Sequence, residues 1–117
     1  MIEILSFQNQ TSDFTQSIDL EQVTITIRMI YNTRSESWYA HFSTTNYELN
    51  GIKLVKNFPL LWKHKSLFPE LQGDFMIRKI SDDINVNELN YDTLGIYFAL
   101  FYLTETELEE WMSDNGI

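Results

Sequence analysis

His41 and His64 are the only imidazoles in the chain, and it contains no cysteine. Zinc sites are built from histidine, cysteine and carboxylate ligands, and a helical site typically pairs two histidines four residues apart. His41 and His64 have no such spacing. His64 also lies in "WKHK", where the flanking lysines repel a metal cation. Both read as ordinary surface or rim histidines, and neither a metal nor a cofactor is expected. The lack of cysteine excludes a disulfide framework, a thiolate metal site and a cysteine nucleophile, and it fits a reducing compartment.

Other chemical patterns fail at their diagnostic positions. "DINVNE" (83–88) resembles the start of a calcium loop, with Asp83, Asn85 and Asn87 at positions one, three and five. The glycine required at position six is Glu88, and the glutamate required at position twelve is Leu94. The stretch therefore reads as a polar loop. Gly51, Gly73, Gly95 and Gly116 are too scattered for a phosphate-binding loop, and no G-x-S-x-G elbow occurs. Carboxylates are plentiful, but no spacing singles out a catalytic pair. An enzyme is not expected.

The charged residues point instead to contact chemistry. The chain has 17 acidic and 8 basic residues, a net charge of −9. Residues 1–50 hold two basic and six acidic residues, a balance of −4. Residues 51–81 hold six basic and two acidic, a balance of +4, and residues 82–117 hold nine acidic and no basic ones. Net negative charge argues against nucleic-acid binding, which depends on Lys and Arg contacts to phosphate. The split suits attraction to a partner of opposite sign, or to another copy. In "KNFPLLWKHK", Pro59 bends the chain, Leu60 and Leu61 plug the core, and the lysines reach outward on their aliphatic stems. Trp62 is left as an interface anchor. The candidate contact residues are Lys53, Lys56, Trp62, Lys63 and Lys65 on the basic stretch, with Glu105, Glu107, Glu109, Glu110 and Trp111 on the acidic tail.

The elements that must hold these residues are mostly strands. "VTITIRMIYN" (23–32) alternates, with Val23, Ile25, Ile27, Met29 and Tyr31 on one face and Thr24, Thr26 and Arg28 on the other. "FTQSIDL" (14–20) alternates through Phe14, Ile18 and Leu20, and Glu21-Gln22 closes a hairpin between the two. "NTRSES" (32–37) is a polar loop. "WYAHFSTTN" (38–46) gives a third strand, with Trp38, Ala40 and Phe42 facing one way. Asn50-Gly51 signals a turn before a fourth strand through Ile52 and Leu54. "GDFMIRKI" (73–80) gives a fifth, and "GIYFALFYL" (95–103) a sixth, buried on both faces. Thr104 caps a helix over 105–113, Glu107 completes a capping box, and Leu103 with Leu108 forms a staple. Leu108, Trp111 and Met112 make its apolar face, and Asn115-Gly116 ends it. The expectation is one mainly β domain over 1–117: a small barrel or sandwich of about six strands with a short C-terminal helix.

The aromatic content and the chain length fit a folded body. No apolar run approaches the length of a membrane span, and "MIEILSFQNQ" lacks the basic flank and apolar segment of a secretory signal. The sequon at Asn9 therefore reads as chance.

Taken in order, "YNTR", "WYAHF", "NGIKLV", "PLLW", "PELQGDFMI" and "YDTLGIYFALFYL" resemble the small plug-type baseplate protein family of contractile-tailed phages, first described in a cyanophage. The resemblance covers about residues 14–103. Its carriers are Tyr31, Asn32, Arg34, Trp38, Tyr39, Gly51, Leu54, Val55, Leu60, Leu61, Gly73, Leu94 and Gly95. It implies a compact β domain without catalysis, built into the virion near the junction of tail tube and hub after synthesis in the host cytoplasm. Its partners would be other baseplate, tail tube and hub proteins, and copies of itself. The acidic helix lies outside the shared pattern. The alternative is a small acidic inhibitor or adaptor that binds a basic partner surface through "ETELEEW". The lysine-rich centre counts against a nucleic-acid mimic, and neighbouring genes for tail tube and hub would separate the readings. Elemental analysis of the purified protein should find no stoichiometric zinc or calcium, and one bound equivalent would overturn the reading of the histidines and of the 83–88 loop.

Overall fold

A computed structural model describes residues 2–4, 12–20, 22–69 and 71–116, with the side chains of residues 2 and 65–67 outside that description. The alternating segments expected from sequence form the larger of two antiparallel sheets. Its strands are β2 (Asp13–Leu20), β3 (Val23–Asn32), β4 (Ser37–Ser43) and β5 (Glu48–Lys53), paired in chain order. The second sheet joins a two-residue strand β1 (Ile2–Glu3), which sequence patterning did not indicate, to β7 (Phe98–Leu103) and β6 (Asp74–Lys79), in the order β1-β7-β6. The two sheets do not close into a barrel, so the fold is a sandwich.

Burial follows the period-two pattern. Ile25, Ile27 and Met29 of β3 and Trp38, Ala40 and Phe42 of β4 are all buried. Across from them lie Phe75, Ile77, Phe98, Leu100 and Tyr102. The two layers meet where the Phe42 and Phe75 rings stand 5.3 Å apart. Each packed aromatic buries roughly 150–250 Å² of surface. On the outer face of β6–β7, Met76, Ala99 and Leu103 are buried too. The last strand is therefore covered on both sides, as its unbroken apolar run requires.

The outer face is served by α1 (Glu105–Asp114), which returns along β7 and buries Leu108. Its start is as expected. The Glu107 N–H donates to Thr104 Oγ1 at 3.4 Å, and the Thr104 N–H donates to Glu107 Oε1 at 3.1 Å. Leu103 and Leu108 flank this cap and are both buried. The helix ends at Asn115, whose backbone N–H donates to Trp111 O at 3.1 Å, before Gly116 at φ +73°.

Three boundaries differ from expectation. Asn50-Gly51 is not a turn: both residues lie inside β5, where Gly51 has φ +74° and the pairing with β4 shifts register between Ala40 and Phe42. A left-handed glycine serves a β-bulge as well as a hairpin turn. The chain reverses instead at 44–47, where the Thr44 N–H donates to Tyr47 O at 2.8 Å, so the third strand stops at Ser43. The last strand begins at Phe98, because residues 93–98 wind into a turn on the Thr93 carbonyl, which accepts from Tyr97 N–H at 2.8 Å. The β2–β3 hairpin closes through Gln22 at φ +67°, while Glu21 and the Asn9 sequon lie outside the described residues.

Gly73 precedes β6 because nothing larger fits. A Cβ there would lie 1.8 Å from the Leu103 carbonyl oxygen, and the Gly73 N–H donates to Tyr102 Oη at 3.0 Å. On the exposed side of the larger sheet, Arg28 grips Asp13 with bonds of 2.9 and 2.6 Å. That hydrogen bond lowers the Asp13 carboxyl below its ordinary value. A depressed carboxyl stabilises the fold above its unfolded-state value and loses that contribution as pH falls through the folded one. Both groups are exposed, so solvent screens the pair. Replacing Thr104 with Ala should lower stability by about 1 kcal/mol in denaturant unfolding, and an unchanged midpoint would mean that the cap does not hold α1.

Candidate functional site

The basic stretch is laid along the outer edge of β6. Leaving β5, the chain is held by Leu54 N–H donating to Trp38 O at 2.9 Å. It then follows β6 backwards: Asn57 N–H donates to Ile77 O at 2.8 Å and Leu60 N–H to Phe75 O at 2.9 Å. The next donor, Leu61 N–H, reaches the carboxylate of buried Asp74, whose Oδ1 accepts at 2.9 Å and also accepts from Phe75 N–H at 2.6 Å. Asn57 makes the required bend at φ +62°. Leu60 and Leu61 are both buried, as their pairing after Pro59 suggested. Two short 3-10 turns follow over Trp62–Leu67 and meet at a kink at His64.

This path leaves a groove of about 300 Å³ on the surface, walled by Val55, Phe58, Leu60 and Trp62 and lined also by Lys53, Lys63 and His64. Lys53 and Lys63 are exposed and Trp62 is half-buried. Lys56, also exposed, lies outside this groove and makes contacts within the chain. Its Nζ donates to the Asn87 carbonyl and lies 5.8 Å from the centre of the Phe98 ring, so it ties the 80–97 connection to the body. The side chain of Lys65 lies outside the described residues. His41 bonds Asn50 through Nδ1 at 2.9 Å. Among the described residues, no group of three or more His, Asp or Glu side chains converges as a metal site.

On the helix, Glu105, Glu109 and Glu110 are exposed, while Glu107 is engaged in the cap. Trp111 is half-buried and stands edge-on to Phe58, with centroids 5.6 Å apart at 89°. Phe58 also meets Trp62 edge-on at 6.4 Å. The basic stretch and the acidic helix, separate in the sequence, are thus joined by one ring. Phe58 was missed as a site residue although it precedes Pro59 within the stretch already singled out. Asp74 was missed because a single carboxylate at a strand start carries no pattern.

A second, more polar cleft of about 540 Å³ lies between Tyr31, Trp38, Lys53 and the 87–92 segment. Trp38 sets its floor: the indole Nε1 donates to Asn90 O at 3.0 Å, and Tyr91 stacks on the ring at 6.0 Å and 11°. Tyr31 packs edge-on against the same indole at 5.3 Å.

Residues 1–105 match the family model described as cyanophage baseplate Pam3 plug gp18. The chain belongs to this baseplate plug family. The match takes in both sheets, the β6-edge segment and Asp74, and it reaches beyond the 14–103 stretch that carries the resemblance in sequence. It ends on the first residue of α1, so most of the helix lies beyond it. No curated protein matches the chain. Asp74→Ala would leave the buried Leu61 N–H without its acceptor, and should cost about 1–3 kcal/mol in denaturant unfolding and speed hydrogen exchange at Leu61. Asp74→Asn, which keeps an acceptor, should recover most of the loss, and equal losses in both variants would mean that the bond does not anchor the segment.

Proposed function

We propose that this protein is a non-enzymatic structural subunit of a contractile phage tail, a plug or hub-associated piece of the baseplate packed at the junction of tail tube and hub. It is made in the host cytoplasm and enters the virion by contact with other baseplate, tube and hub proteins. The family match over residues 1–105 carries this reading. The surface supports it. The groove beside Trp62 offers apolar walls with lysines at its side, the combination that dominates affinity at small interfaces while charge sets orientation and encounter rate. No helix among the described residues is long and apolar enough to cross a membrane.

The acidic helix contributes through what it holds in place. With Leu108 buried on the outer face and Trp111 against Phe58, it braces one side of the groove. Its exposed glutamates, Glu105, Glu109 and Glu110, are then available for a basic neighbour.

Mass spectrometry of purified virions should detect the protein in tail fractions. In particles assembled with Trp62→Ala, incorporation should fall sharply while circular dichroism shows intact folding. Lys53→Glu with Lys63→Glu should weaken incorporation less, because exposed charge pairs contribute only about 0–1 kcal/mol each. Virions that lack the protein and still infect would overturn the baseplate assignment. Normal incorporation of Trp62→Ala would overturn only the choice of surface.

A further inference from the structure

The described surface carries a second apolar feature that the groove residues do not share. Ile84 is 82% exposed, at the turn of the connection between β6 and β7, with Ile80 46% and Ile96 52% exposed. The Ile80 N–H donates to Tyr97 O at 2.8 Å, which fixes Ile80 against the 96–97 backbone. A lone exposed isoleucine means little. Here the turn that carries it is held from both sides. Asp83 Oδ1 accepts from Asn85 N–H at 2.9 Å, Asn87 Nδ2 donates to Ile84 O at 3.0 Å, and Lys79 Nζ donates to the Asp83 carbonyl. Ile84 is thus presented on a braced loop, so its ordering cost is already met in the free protein. Asp82 and Asp83, both exposed, precede it.

The groove has the matching character. Val55 and Phe58 within it are 45% and 38% exposed. Lys53, Lys63 and His64 line it and no carboxylate does. Ile84 is not among its lining residues and does not fill the groove of its own chain. An acidic-flanked apolar knob and a basic-flanked apolar groove lie on the same molecule as distinct patches.

We propose that Ile84 of one copy seats in the groove of another, with Asp82 and Asp83 facing Lys53 and Lys63. The contact is heterologous, since two different patches meet, and repetition generates a ring or a stack according to the rotation between copies. Self-association of the purified chain is independent of the virion, so its failure would leave the baseplate assignment in place.

Sedimentation velocity across a concentration series, at about 0.15 M salt where long-range repulsion is screened, tests the contact. The wild-type protein should show a concentration-dependent shift beyond the monomer. Val55→Glu spoils the groove and Ile84→Asp spoils the knob, both at exposed positions. Each alone should weaken association by roughly tenfold or more with unchanged melting curves. An equimolar mixture should form dimers that grow no further, because the Val55→Glu copy keeps a knob and the Ile84→Asp copy keeps a groove. A wild-type protein that remains monomeric at every concentration, variants that associate as it does, or a mixture that fails to dimerise would each overturn the proposal.

Discussion

The bond from Leu61 N–H to the buried Asp74 carboxylate is the constraint on which the groove beside β6 depends. In the three-stranded sheet β6 lies at one edge, and an uncovered edge invites unwanted pairing. The segment from Asn57 to Leu61 closes that edge with two backbone bonds and this side-chain bond. A carboxylate can replace a strand carbonyl here because Oδ1 accepts two backbone donors at once. Once the segment is seated, Leu60 and Leu61 go into the core, and Phe58 and Trp62 are left on the outside.

That arrangement gives each charged residue a particular place. Lys56 and Lys79 are tied to carbonyls of the 80–97 connection, and Glu107 closes the helix cap. Lys53, Lys63, Glu105, Glu109 and Glu110 stay exposed. The +4 and −9 blocks of the sequence are therefore not two uniform faces. Part of each holds the long connection and the helix in place, and the remainder is divided between the groove, the helix surface and the exposed 82–92 segment. Phe58 links Trp62 to Trp111, so the helix, which lies almost wholly beyond the family match, bears on the wall of the groove. A surface already ordered in the free protein binds without the entropy cost of ordering a flexible one.

The sequence by itself determined the sheet faces and the helix. Alternation in 23–32 and 38–43 must put Ile25, Ile27, Trp38 and Phe42 together, because successive strand residues point to opposite sides. Thr104 and Glu107 must cap a helix, because the bonds they form are local to one turn. The order of short motifs likewise carried the family. Tertiary structure decided what depends on partners distant in sequence. Gly51 is compatible with a hairpin turn or a bulge, and pairing with β4 selected the bulge. Asp74 looks like any acidic residue until Leu61 is brought to it, thirteen positions away. Phe58 became the join between two surfaces only when α1 folded back over β7, since ring contacts across a fold leave no periodicity in the chain that makes them.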